Sequence, residues 1–487
     1  MPILPVILWT DLLLFALIAA AIGAGLYVRR QPHLRAGWRQ VMGNGPAMAS
    51  ATVLAVFVVI GVLDSLHFRA PLEAVKGKAP RYAVEVQSIF DVLVGGLRQR
   101  TEKTYSAPLD AYLFAKESVE RPDGTQSREF PRLKHGGAHL ADPAREADAD
   151  ITRRVLSGLA LATVLWLSLG AIIAAAQGHA HGVAAGETWR AIWRGETPVA
   201  WRAVMVTGAL LLVIAGPVAM LSGGWHVLGT DKVGQDVLYL TLKRIRTALV
   251  IGTLTTLVTL PIAVSLGLLA GYLGGWVDDV IQYVYTTLNS IPGVLLIAAS
   301  VLMMQVVIDT HPDWFATSAE RADARLLALC LILGMTSWTG LCRLLRGETL
   351  KLRELDYVQA ARAFGVSKLR IMARHILPNL MHIVLISVVM DFSGLVLAEA
   401  VLSYVGVGVD PSTISFGTMI NTARMELSRE PMVWWSLLAA FVFMFLLVLA
   451  ANLFADAVRD AFDPRMRRIV RPRTVWPAAR GVARGAA

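Results

Sequence analysis

Two carboxylates, Asp391 and Glu399, stand inside an otherwise apolar run at 376–402. Placing a charge there costs roughly 2.5–3.5 kcal/mol on insertion scales, so such residues tend to line a pathway or meet a partner charge. Eight residues at 100° each put them about 80° apart on a helix, broadly on one side. Both are candidates for a translocation pathway, where a carboxylate would meet a substrate amine or water. The structural alternative is an ion pair with a neighbouring helix. His179 and His181 form an HxH pair at a helix end, and His135 and His139 lie near Asp142 in a Gly-rich stretch. Either group could ligate a metal, but both read more simply as polar loop histidines, and no metal is assigned. No GxxxxGK[ST] phosphate loop occurs, so ATP is not bound here through one. Cys330 and Cys342 lie in one apolar segment and suit neither a disulfide framework nor a metal cluster. The residues offer no active site.

A different kind of pattern occupies 356–379, DYVQAARAFGVSKLRIMARHILPN. Ala360, Ala361, Ala363 and Gly365 crowd within one and a half turns, a shoulder without bulk that another protein can approach closely. Ala361 and Gly365 are four apart and share a face. Gly365 suits a helix C-cap, and Pro378 interrupts the ladder thirteen positions later. The stretch predicts a helix–Gly–helix knob. An ordinary basic loop would explain its charges but not this cluster of small residues.

The elements that hold these residues are membrane helices. Hydrophobic residues make up 55% of the 487 and charged ones 17%, against roughly 45–50% and 25% in soluble domains. The net charge of +10 is read as cytoplasmic loops rather than nucleic-acid binding. The start of the chain lacks the basic region of a signal peptide. Nine spans are expected at about 8–28, 47–65, 154–176, 203–222, 247–270, 280–306, 326–345, 376–402 and 433–455. The stretch RRQPHLRAGWRQ carries four arginines and no acid, and the tail after Pro464 seven and none. Both are therefore cytoplasmic, with the N-terminus outside. Parity then places 346–375 inside and the acid-rich loop around DTHPDWFATSAERAD outside. Lys243, Arg244 and Arg246 fall on the outer side, against the charge bias. Residues 67–153, with 14 basic and 13 acidic side chains, form a polar insertion that parity places outside. Its amphipathic stretches and the turn signal RPDGT predict a small extracytoplasmic subdomain.

In the 356–378 segment the chain resembles the permease subunits of binding-protein-dependent ABC importers. Their signature is EAA, three residues, Gly, nine residues, then I-x-L-P. Gln359, Ala360, Ala361, Gly365, Leu377 and Pro378 match it in spacing, with Gln359 in place of the acid and His375 in place of the isoleucine. Asp356 and Tyr357 belong to the same segment. Gly229, Thr230, Asp231, Gly234 and Asp236, in LGTDKVGQD, are similar to a segment of the dipeptide, oligopeptide and nickel permeases, with Gln235 for the usual Arg. AGYLGGWVDD, LAEAVLSYVGVGV (with Glu399), SFGTMI and VRDAFDPR resemble the same group in the same order. The resemblance covers about 225–468.

It implies an all-α membrane protein, a type I importer helical bundle in the bacterial inner membrane, with a core at 225–468. Of the helices at 1–66, the Arg-rich segment and span at 29–65 would match the family's first helix; the span at 8–28, the helices at 154–224 and the 67–153 insertion would be additions, and a basic cytoplasmic tail at 469–487 would follow the core. It further implies a second homologous permease, two ATPase subunits that bind ATP and Mg, and an extracytoplasmic solute-binding protein. The cargo would be a peptide or similar small solute, and 356–378 would be the mechanical link to the ATPase. A channel or secondary transporter would predict inverted repeats, which are not seen. A membrane-anchored scaffold would leave the 356–378 motif unexplained.

Overall fold

Long uncharged runs leave the backbone in lipid no partner but itself, and the chain forms helices. The computed structural model describes residues 4–30, 32–71, 82–120, 126–315, 317–408 and 413–462. The turn expected at RPDGT and the basic tail at 469–487 lie outside the described residues. Strand β1 (Leu4–Val6) precedes α1 (Trp9–Arg30), α2 (Pro32–Gly43) and α3 (Gly45–Asp64). Strands β2 (His67–Arg69) and β3 (Gln87–Ser88), the short α4 (Ile89–Leu93) and α5 (Gly95–Gln99), and the strands β4 (Glu117–Glu120) and β5 (Gln126–Glu129) follow. Then come α6 (Pro143–His181), α7 (Ala185–Arg194), α8 (Trp201–Leu221), α9 (Val237–Leu273), α10 (Gly275–Ser290) and α11 (Gly293–Thr310). The rest comprises α12 (Ser318–Ser337), α13 (Thr339–Arg353), α14 (Asp356–Ala363), α15 (Lys368–Ile371), α16 (Leu377–Val405), α17 (Phe416–Glu426) and α18 (Trp435–Phe462).

Among the described residues nine helical stretches are long and apolar enough to cross a membrane, at the nine expected places. One expectation needs correction. The run 280–306 is not a single helix, because Ile291 is extended and the span proper, α11, starts after Pro292. Proline lacks an N–H and pushes the residue before it out of the helical region, which leaves α10 as a separate helix.

The chain divides into two compact units. The first comprises Met1–Gly25, Val58–Val94 and Thr241–Ala455. Its β1, β2 and β3 pair antiparallel, with Leu4 opposite Arg69. A buried cluster of Val250, Ile251, Leu254, Leu329, Cys330 and Leu333 joins α9 to α12. Here the cations that opposed the charge bias find partners. Lys243 Nζ lies 3.1 Å from Asp64 and 2.6 Å from Asp91. Arg246 donates to Asp11 at 2.6 Å, and the second Asp11 oxygen meets His67 Nδ1 at 2.7 Å. Arg244 Nε donates to the carbonyl of Ser415 at 2.7 Å. Lys243 and Arg246 are thus matched by buried carboxylates, and Arg244 is held by a carbonyl.

The second unit comprises Leu26–Phe57, Gly95–Leu240 and Asp456–Ala487. Helices α6 and α8 pack with almost no space between them: a Cβ on Gly216 would stand 2.4 Å from the carbonyl oxygen of Gly158. Small residues at this spacing let backbones approach where lipid gives no hydrophobic drive. Trp166 of α6 meets Trp189 and Trp193 of α7 edge-on or tilted, at 6.1 and 6.2 Å.

Candidate functional site

The 356–378 segment forms the expected knob. Leu355 is extended, and Asp356 opens α14, where a negative charge suits the positive end of the helix dipole. Gly365 adopts φ +73 directly after the helix, a conformation that favours glycine. The Val366 N–H closes the turn on the Ala361 carbonyl at 3.1 Å. Val358, only 2% exposed, anchors α14 in a core with Leu345, Ile371, Met372 and Ile376. Asn379 Nδ2 donates to the Tyr357 hydroxyl at 3.1 Å and to the His375 carbonyl at 2.7 Å. Pro378 does not break the chain: a π-helical turn over Met372–Ile376 runs directly into α16. Widening the ladder there accommodates the missing N–H without ending the helix.

Two refinements follow for the small-residue shoulder. Ala361 faces inward and packs against the Val358 core, whereas Ala360, Ala363 and Gly365 are exposed. The close-approach surface is therefore Ala360, Ala363 and Gly365. It is flanked by two apolar side chains that the sequence reading missed, Phe364 at 87% and Leu369 at 72% exposed. Below it, α9 and α13 touch backbone to backbone, since a Cβ at Gly271 would lie 2.8 Å from the Arg346 carbonyl oxygen. Arg346 clamps Asp278 of α10 with two bonds of 2.6 and 2.8 Å.

The two intramembrane carboxylates do not share an environment. Glu399 is 2% exposed and accepts a 2.6 Å bond from the Ser403 hydroxyl of its own helix. Helix α17 lies against that turn, since a Cβ on Gly417 would stand 2.5 Å from the Ser403 Cβ. Among the described residues no cation pairs with Glu399. Asp391 is half-buried, and among the described residues no side chain pairs or hydrogen-bonds with it. An offset of about 80° is enough to bury one carboxylate and leave the other at a surface.

Gly229, Thr230, Asp231, Gly234 and Asp236 come together in one tight turn. Asp231 accepts from the N–H groups of Val233 and Gln235 at 3.0 and 2.8 Å. The Thr230 hydroxyl accepts from the Ser106 N–H at 2.6 Å and donates to the Thr104 carbonyl. Asp236 caps α9 through the Leu238 N–H at 2.9 Å and holds His226 Nδ1 at 2.8 Å. The other nitrogen of His226 faces Glu102 at 3.3 Å, and Glu102 also accepts from the N–H groups of Lys134, His135 and Gly136. Burial opposes charge on His226, but the two carboxylates outweigh it and push its pKa up to about 9. Burial likewise opposes ionised Glu102, yet His226 and the three N–H groups bring it down to about 2. The turn is a clamp on the insertion. Glu102 and His226 were not singled out in the sequence, because nothing local links them.

Two of the four histidines weighed as metal ligands have other partners. His139 Nε2 meets Asp150 at 2.8 Å, Asp142 caps α6, and His181 Nδ1 meets the Gln177 carbonyl. Among the described residues no group of three or more potential ligands occurs.

Among the described residues the chain is built on membrane-type helices, with an exposed small-residue knob at Ala360, Ala363 and Gly365. The model of the "Binding-protein-dependent transport system inner membrane component" family matches residues 263–468. An oligopeptide transport system permease protein OppC of Mycobacterium tuberculosis is 33% identical over 249 residues, 51% of this chain and 79% of its own length. A dipeptide transport system permease protein DppC of Lactococcus lactis is 30% identical over 49% of this chain and 64% of its own. A glutathione transport system permease protein GsiD of Pectobacterium atrosepticum is 33% identical over 50% and 73%. The chain belongs to this family of inner-membrane permease components. It is a non-catalytic, multi-span subunit of an ABC importer.

Proposed function

We propose that the chain forms, with a second permease, the pathway for peptides or peptide-like solutes in the bacterial inner membrane. The relatives' names support that cargo class. An extracytoplasmic binding protein delivers the solute, and two ATPase subunits, which hold ATP and Mg, dock on the cytoplasmic side. Residues 225–468 are the permease core. Within 1–66 the segment 29–65 corresponds to the family's first helix, while the span at 8–28, the helices in 154–224 and the extracytoplasmic 67–153 are additions; the tail 469–487 is cytoplasmic and the N-terminus faces outside. The observation that carries the coupling role is α14, anchored by Val358 and presenting Ala360, Ala363 and Gly365 outward. It seats in a groove of the ATPase, and closure of the ATPase dimer moves α14, α15 and, through the π-helical turn, α16.

The test is Ala360→Trp and Gly365→Val in the assembled complex. Both sites are exposed, so normal expression is expected with uptake lost and ATPase co-purification weakened. Wild-type uptake with the ATPase still bound would reduce this segment to a basic loop.

A further inference from the structure

A cavity of about 690 Å³ opens beside α14. Its lining includes Tyr272, Arg353, Glu354, Gln359, Arg362 and Lys368. Arg353 is already engaged, bonding Glu354 at 2.9 Å and the Gly271 carbonyl at 3.1 Å. Gln359 Nε2 donates to the Glu354 carbonyl at 3.1 Å. Among the described residues neither Arg362 nor Lys368 has an ion-pair partner. The wall therefore carries three cations against one carboxylate, and that carboxylate is taken.

We infer that this cavity receives an acidic side chain of the ATPase, a proposal that rests on the coupling role of α14. Two exposed cations without an ion-pair partner among the described residues, on the wall of a concave site, attract an anion and fix its register. Gln359 matters to the charge balance. A carboxylate at 359, the acid the family signature carries there, would reduce the wall's excess of cations and weaken its pull on an anion. Neutral glutamine leaves the wall positive, so the matching ATPase surface is acidic.

The permease is co-expressed with its own ATPase, and retention of the ATPase on the tagged complex is measured against NaCl concentration. Arg362→Glu with Lys368→Glu is expected to lower retention about five- to tenfold, an exposed pair being worth up to about fivefold and reversal adding repulsion. Arg362→Lys should retain the ATPase, and a wild-type yield of the detergent-extracted double reversal excludes misfolding as the cause. Gln359→Glu should lower retention too. Stronger retention in Gln359→Glu would mean that the facing residue is a cation, and the inference is wrong. Unchanged retention in the double reversal, with Gly365→Val still releasing the ATPase, would overturn this inference and leave the coupling role standing. Unchanged retention in all of them would overturn the coupling role itself. If inorganic phosphate protects the wild-type complex thermally, and the reversal abolishes that protection without altering retention, the occupant is a free anion and the inference falls.

Discussion

Asp391 and Glu399 lie on one helix but ask for different experiments. Glu399 is enclosed against α17 and bonded to Ser403, so Glu399→Gln should keep the packing and the bond, and complex yield should stay near wild type. Asp391 is the stronger pathway candidate, because its carboxylate is half-buried and has no partner among the described residues. Asp391→Asn should lower uptake with assembly intact, as measured by transport alongside detergent-extracted yield. Full uptake in Asp391→Asn would remove it from the pathway. A second prediction concerns the enclosed cations. Arg246→Ala leaves buried Asp11 with His67 as its remaining ionisable partner, and breaking such a pair costs up to roughly 3–5 kcal/mol. A marked fall in the melting temperature of the purified complex is expected, and Lys243→Ala should behave similarly through Asp91 and Asp64. At this scale the sequence was only half legible. A charge inside an apolar run is visible in a string of letters, but its partner is not: Asp11 and Arg246 meet only because β1 pairs with β2 and brings α1 to the end of α3.

Elements were easier to read than contacts. The nine apolar runs stand out because lipid enforces one solution for the backbone, and Gly365 was legible because a glycine just past a short helix commonly supplies a positive-φ cap. Phe364 and Leu369 were not, since an apolar residue on a short helix looks like core until the packing is known. The Glu102–His226–Asp236 clamp yields a pH prediction at this scale. His226 rises from 6.5 to about 9 in the folded chain, so its contribution is fully present below pH 6.5 and fades as pH rises through 9. At 1.36 kcal/mol per pH unit this is about 3 kcal/mol. Glu102 falls from 4.5 to about 2, so its contribution is complete above pH 4.5 and fades toward pH 2. Hydrogen exchange of the segment 95–142 should be slowest between about pH 4.5 and 6.5 after correction for intrinsic rates, and His226→Gln should abolish the alkaline loss. An alkaline loss that persists in His226→Gln would show that another group carries it.

For the whole molecule the open quantity is orientation. Parity and the matched cations near Lys243 support an outward insertion and an inward knob. Cys330 and Cys342 are buried, so they should stay silent toward an impermeant thiol reagent. Cysteines placed at the exposed Gln126 and Ser367 can then be compared on intact cells. Labelling is expected at Gln126→Cys only, with Ser367→Cys reacting after permeabilisation; the reverse pattern would invert the topology. Gly234 has one more consequence. A Cβ there would stand 1.9 Å from the carbonyl oxygen of Glu102, and Gly234→Ala should cost at least about 1–3 kcal/mol in backbone strain. The turn and the insertion are thus fitted to each other as a lock is to its key, and neither can be exchanged alone. A chimera that replaces 225–240 of this chain with a relative's segment should mature poorly, while one that transfers this chain's 95–142 and 225–240 together into a relative should keep the turn intact.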